Sequence, residues 1–200
     1  MKNILHIISS PRGEGSYSIK LGKAVVDKLL QKYPDASVKE YNLVDQKFPH
    51  LEEAHITSFF TPAEKRTPEN IEAIHHSDEA IAMIEDADII VMGAPMYNFT
   101  IHSSLKAWLD HVIRAGRTFY YDEKGVHGLL GHKKIYLAVS SGNIYSEGPA
   151  ATMDHVVPYL KDTLGFIGLK DITVFRIEGT SLPGQQESAV TKGLESISLN

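Results

Sequence analysis

The sequence predicts a doubly wound α/β fold, a five-stranded parallel sheet in the order 2-1-3-4-5 with helices on both faces. Five short apolar, β-branched runs alternate with longer stretches of helical periodicity, the pattern left by repeated strand–helix units. The third and fourth runs are apolar almost throughout, as strands covered on both faces must be. Size agrees with this: 200 residues, 42% of them apolar, suffice for one domain spanning 1–200 around a well-buried core.

The expected strands cover 3–8, 37–42, 89–93, 134–140 and 173–177. Between them, Ile19, Val25, Val26, Leu29 and Leu30 mark a first helix, and Ile71, Ile74, Ile81, Met83 and Ile84 a second. Leu105, Trp108, Leu109, Val112 and Ile113 recur at the spacing of a third, whose stripe, Trp108 included, reads as core. A fourth helix is expected over 150–164 and a fifth after Pro183-Gly184. The least regular stretch, 48–66, carries Pro49, Pro62 and the pair Phe59-Phe60. It is too long for a routine connection, and the expectation is a lid over a site.

Composition removes several functions. The 25 Asp and Glu and 20 Lys and Arg are scattered, so no basic field exists to attract nucleic acid or a membrane surface. Without cysteine there is no disulfide, thiolate metal site, iron–sulfur cluster or redox dithiol, and redox chemistry would need a bound cofactor. The opening run Met1 to Ile8 is too short for a signal peptide and no apolar run reaches membrane-spanning length, so a cytoplasmic location is expected. Asn98-Phe99-Thr100 matches a glycosylation acceptor only by chance in that setting. The adjacent His75-His76 should point their rings in different directions from a helix, and no His-Glu-x-x-His or Gly-x-Ser-x-Gly element occurs. No metal site and no catalytic side chain are expected. Glu52-Glu53 and the pair Asp86 and Asp88 read as solvated surface.

In an open parallel sheet, ligands bind beyond the carboxyl ends of the strands where strand order reverses. The loop after the first strand, residues 9–18, is rich in hydroxyls and glycine and leads into a helix, so Ser10, Ser16, Tyr17 and Ser18 are candidates to cradle a phosphate. It lacks a P-loop lysine and a dinucleotide fingerprint, which argues for a monophosphate. The alternative is that Ser16 or Ser18 only caps the helix. After the third strand, Met96, Tyr97, Asn98 and Phe99 offer apolar groups and backbone N–H donors of the kind a flat isoalloxazine requires. The alternative there is a tight turn with its aromatics in the core. Ser140, Ser141, Gly142 and Asn143 follow the fourth strand, where an ordinary turn would look much the same.

At these loops the sequence resembles the FMN-dependent NADH:quinone oxidoreductase and NADH-azoreductase family of flavodoxin-like homodimers. The resemblance runs nearly the whole chain. Its most specific parts are 94–99, Arg114-Ala115-Gly116-x-Thr118-Phe119, and Pro158-Tyr159-Leu160 followed by 164–168. It implies FMN held by Ser10, Ser16, Tyr17 and Ser18, by Met96 to Phe99, and by Ser140 to Asn143, where Ser141 replaces the family's arginine and Asn143 a glycine. It also implies NADH as electron donor, a quinone or azo compound as acceptor, and ping-pong turnover in a homodimer. The rival readings are a flavodoxin-type electron carrier and a flavin-binding regulatory protein.

Overall fold

The computed structural model describes residues 1–199. Five strands, β1 (Asn3–Ile8), β2 (Ser37–Asn42), β3 (Ile89–Pro95), β6 (Lys134–Ser140) and β7 (Asp171–Ile177), form a parallel sheet in the order β2-β1-β3-β6-β7. This is the expected order counted over the parallel strands alone. Two further strands, β4 (Phe119–Asp122) and β5 (Gly125–Gly128), make an antiparallel hairpin that the sequence reading missed. Six of its eight residues are exposed, so no buried stripe advertised it.

The helices are α1 (Tyr17–Lys32), α2 (Leu43–Gln46), α3 (Glu53–Phe60), α4 (Pro68–Asp86), α5 (Ser103–Val112), α6 (Val157–Phe166) and α7 (Gln186–Glu195). Successive strand residues face opposite ways, and the core divides accordingly. Leu5 and Ile7 of β1 join Ile81 and Ile84 of α4, Trp108 of α5 and Leu160 of α6. Ile4 instead joins Val25 and Leu29 of α1 and Phe175 of β7. Trp108 is core, as expected, whereas Ile71 in the first turn of α4 is exposed and belongs to neither face.

Three local expectations need correction. The helix foreseen over 150–164 is broken into a short 3-10 turn, Ala151–Met153, and α6. Asp154 makes the break: its Oδ1 accepts the N–H groups of Val156 (2.9 Å) and Val157 (3.1 Å), and Pro158 then supplies the fixed φ of a helix start. Segment 48–66 is not irregular. It contains α3, which packs on α4, and His111 Nε2 reaches the Pro49 carbonyl at 3.0 Å. Finally, the His75 and His76 rings do not diverge; they lie nearly parallel, 5.8 Å apart.

Candidate functional site

The cleft lies beyond the carboxyl ends of β1, β3, β6 and β7, and its walls are tied to one another before any ligand is considered. Ser9 Oγ donates to the Gly93 carbonyl at 2.7 Å, and Met96 N–H to the Ser140 carbonyl at 2.8 Å. Ser141 N–H reaches Ile177 O at 3.0 Å. These bonds fix the loops after β1, β3 and β6 to their neighbours, so the cleft's shape is a property of the sheet.

The first loop turns through Gly13, whose φ of 53° suits glycine and beside which a Cβ would meet open space. It delivers Ser16 as the N-cap of α1, with Oγ accepting from Ile19 N–H at a long 3.4 Å. Ser18 Oγ sits 3.0 Å from Ser16 Oγ, and both serines are buried. Ser10, also buried, has one weak partner, Arg12 N–H at 3.4 Å. Three buried hydroxyls with so few bonds, at the positive end of a 16-residue helix, keep donor capacity for an anion. Arg12 lines the same cleft and was missed.

The second loop is a two-residue turn. Tyr97 and Thr100 exchange both backbone bonds (2.9 and 3.1 Å), and the central residues Asn98 and Phe99 take φ of 48° and 70°. This is the type I′ pattern, which Asn tolerates and Phe does not favour. Phe99 is held there because His155 N–H donates to its carbonyl at 3.1 Å and Tyr145 packs edge-on against its ring, 6.2 Å away. The loop is therefore a tight turn, but Phe99 is exposed and not part of the core.

Of the twelve candidates, Ser16, Tyr17, Met96, Tyr97, Ser140, Ser141 and Gly142 line one cleft. Ser10 and Ser18 are buried within the same loop. Asn98 faces an adjoining hollow of about 510 Å³, shared with Tyr97, His102, Lys106 and Tyr159. Burial lowers the pKa of His102 there. Phe99 and Asn143 line neither space; Asn143 Oδ1 accepts its neighbour Ile144 N–H at 2.8 Å.

The loop after β7 completes the wall and went unread. Ser181 N–H donates to Gly142 O at 2.8 Å and Thr180 Oγ1 to Ser141 O at 3.2 Å. A Cβ on Gly142 would stand 2.6 Å from Ser181 Oγ, so this position admits only glycine without movement. The expected strand order already put the last two loops side by side, and Thr180-Ser181 repeats the small polar character of Ser140-Ser141. That was the available signal.

The family described as having a flavodoxin-like fold matches residues 2–199. The chain is 48% identical over 182 residues to an FMN-dependent NADH:quinone oxidoreductase of Herminiimonas arsenicoxydans, covering 91% of this chain and 89% of the relative. Identity is 41% over 192 residues to the protein of the same name from Mesorhizobium japonicum, covering 96% and 90%. Among solved structures, an azoreductase from Bacillus anthracis superposes with a TM-score of 0.90 at 33% identity, covering 98% of this chain and 96% of that one. An FMN-dependent NADH-azoreductase from the same species, solved in complex with FMN, superposes with a TM-score of 0.84 at 25% identity, covering 98% and 97%.

Proposed function

The chain belongs to the flavodoxin-like family of FMN-dependent NADH:quinone oxidoreductases, and we propose that it binds FMN in the cleft described above and uses NADH to reduce quinones and azo compounds. The observation that carries this reading is the group of under-bonded buried hydroxyls at and before the start of α1, of which Ser16 lines the same cleft as Met96, Tyr97 and Ser140 to Gly142. The donor set fits a phosphorylated flavin. Ser10, Ser16, Tyr17 and Ser18 with the first N–H groups of α1 hold the phosphate. Pro95, Met96 and Tyr97 give the ring an apolar wall, and the loops at 96–99 and 140–143 bring backbone donors to its polar edge.

When bound, FMN supplies two-electron redox chemistry, drawing hydride from NADH and delivering electrons to the acceptor. The chain itself orients the partners and excludes water from the ring edge. Donor and acceptor use one face in turn, hence ping-pong kinetics. Protons come from water, and no side chain is assigned as acid.

The working unit in this reading is a homodimer in the cytoplasm. Exposed Tyr120, Tyr121, Val126 and Leu129 on and beside the β4–β5 hairpin are apolar surface for a second copy. Purified protein should be yellow and should oxidise NADH with a soluble quinone as sole acceptor. A colourless protein that takes up no added FMN overturns the reading, and flavin binding without NADH turnover reduces it to an electron carrier.

A further inference from the structure

Between β6 and α6 the chain runs beside the 97–100 turn as an irregular stretch, residues 143–156, broken only by the turn Ala151–Met153. Its contacts with the 97–100 turn are few: Tyr145 against Phe99, His155 N–H to Phe99 O, and Thr100 Oγ1 to His155 O at 3.4 Å. Its ends are anchored by Val156, buried in the core, and by the Asn143 carbonyl, which accepts from Ser141 Oγ (2.7 Å) and Gly179 N–H (3.3 Å), and on its other side the stretch is tied down by three charged groups. Arg176 of β7 donates through Nη2 to Asp154 Oδ2 at 2.6 Å and through Nη1 to Glu178 Oε1 at 3.2 Å. Glu178 Oε1 also accepts the N–H groups of Tyr145 (2.9 Å) and Ser146 (3.0 Å), while Asp154 Oδ1 accepts those of Val156 and Val157. Each carboxylate thus shapes one end of the stretch, and both lie on the arms of a single guanidinium.

The charges do not cancel. Two carboxylates with side chains only 6% and 10% exposed face one cation. Burial pushes the Asp154 carboxyl up, but the Arg176 hydrogen bond and the two backbone N–H groups outweigh it and hold it below the ordinary carboxylate range. The other charged or titratable groups nearby are Glu147 and His155, from the stretch itself, and Lys192 of α7, and none pairs with the triad among the described residues; the double variant used below keeps all three and so isolates the carboxylates. Arg176 alone separates the two negative charges. Two carboxylates brought together without a cation cannot both stay ionised.

We propose that Arg176 is a positioning residue for the flavin site: by bridging Asp154 and Glu178 it holds residues 143–156 against the 97–100 turn. The proposal rests on the FMN reading for its functional consequence, but not for its structural one. Replacing Arg176 with Gln leaves the carboxylates to repel, and the stretch lifts off at neutral and alkaline pH. At lower pH one carboxylate takes a proton, donates it to the other in a hydrogen bond, and the stretch closes again. Arg176 therefore keeps these two carboxylates from making the stretch pH-sensitive.

The test is Arg176→Gln beside the double variant Asp154→Asn/Arg176→Gln, in which the repulsion is gone and Asn keeps the Oδ1 that Val156 and Val157 need. Hydrogen exchange of the 143–157 amides reports the stretch without reference to flavin. At about pH 8 it should be about tenfold faster in Arg176→Gln than in the parent, and near parental in the double variant and in Arg176→Gln at about pH 5.5. The FMN dissociation constant, read by fluorescence quenching, should follow the same order, weakened about tenfold at about pH 8 and recovered by acid or by the second substitution. Equal exchange in parent and Arg176→Gln at both pH values overturns the proposal, as does a defect that neither acid nor Asp154→Asn repairs. Exchange that behaves as expected while FMN affinity stays at the parental value overturns the link to the site. A parent protein that binds no FMN instead overturns the FMN reading and leaves the exchange result standing.

Discussion

The cleft at the sheet's carboxyl edge and the flank where residues 48–66 dock on α4 and α5 both bury polar groups, and they dispose of them differently. On the flank, Arg114 donates to Ser77 (3.1 Å) and Asp78 (2.7 Å), Ser77 to His111 O (2.6 Å), and Thr118 to Val112 O (2.8 Å). The atoms left over, Arg114 Nε and His111 Nδ1, are sealed in: Phe59 lies 4.9 Å from the guanidinium and Phe48 5.5 Å from the imidazole. In the cleft, Ser16 and Ser18 lean on each other and the loop stays open. Polar burial that is closed on itself serves the fold, and polar burial left short of partners beside an opening serves a ligand. The motif Arg114 to Phe119, one of the most specific parts of the family resemblance, belongs to the first kind.

The comparison fails first if the two regions do not separate on mutation. Arg114→Ala removes two charge-assisted hydrogen bonds and should cost about 3 kcal/mol of stability. Asp78 is left 40% exposed and still paired with Arg117 at 2.9 Å, which caps the loss. Denaturant midpoints should fall while FMN affinity of the folded protein stays within about twofold, since hydrogen-bond networks without shared partners act independently. A large loss of affinity at unchanged midpoint would merge the two regions into one.

The converse variants lie in the cleft. Ser16→Ala with Ser18→Ala should weaken FMN binding by about 1.5–3 kcal/mol for each lost bond to the phosphate. The cap lost at Ser16 should cost only about 1 kcal/mol of stability, and Ser18→Ala alone none, because its hydroxyl's one partner is Ser16. Titration of the apoprotein with FMN reads the first quantity and thermal melting the second. Unchanged affinity would make these serines helix caps and nothing more.

Legibility follows the same division. The sheet could be read because β3 is buried throughout and β6 in all but its first residue, a property of the local sequence. The α1 loop could be read because its chemistry is contiguous. The break at Asp154 could not, since the charge that holds Asp154 in place comes from Arg176, 22 residues on. Nor could the order in 48–66: α3 has an unusual cap in which His55 Nδ1 accepts Glu52 N–H at 3.0 Å, and its burial depends on a surface supplied by α4 and α5. Residues that act through partners distant in the chain leave no periodicity.

A smaller effect tests the seal on the flank. His111 Nε2 must donate to the Pro49 carbonyl, and Nδ1 has no partner, so a proton added there would be buried without an acceptor. Burial holds its pKa down, with His55 and His76 adding to the depression and the Pro49 bond and Asp110 opposing it. The unfolded chain therefore takes up this proton first as pH falls. Stability rises with pH through this window and is lost below about pH 6.5. Melting temperatures between about pH 8 and pH 5 should decline toward acid, and His111→Asn should flatten that decline. An equal slope in the variant would show that His111 is not the group responsible.

The smallest effect is the most discriminating, because it separates backbone from side chain at the 97–100 turn. Asn98 occupies a left-handed conformation at φ 48°, beside the hollow shared with Tyr97. If the turn's backbone N–H groups meet the flavin edge, the side-chain amide is dispensable and the conformation is not. Asn98→Gly keeps the conformation and removes the amide, while Asn98→Ala also imposes the left-handed penalty of about 1–2 kcal/mol. Stopped-flow reduction by NADH should then run within about twofold of the parental rate in the glycine variant and more slowly in the alanine variant, with a melting temperature close to the parent for glycine and lowered by about 2–8 °C, as that penalty implies, for alanine. Equal slowing in both would assign the work to the amide itself. Parental rates in both, with a lowered melting temperature in the alanine variant, would return this turn to the fold and remove it from the site, and the cleft would lose its second wall as a functional element.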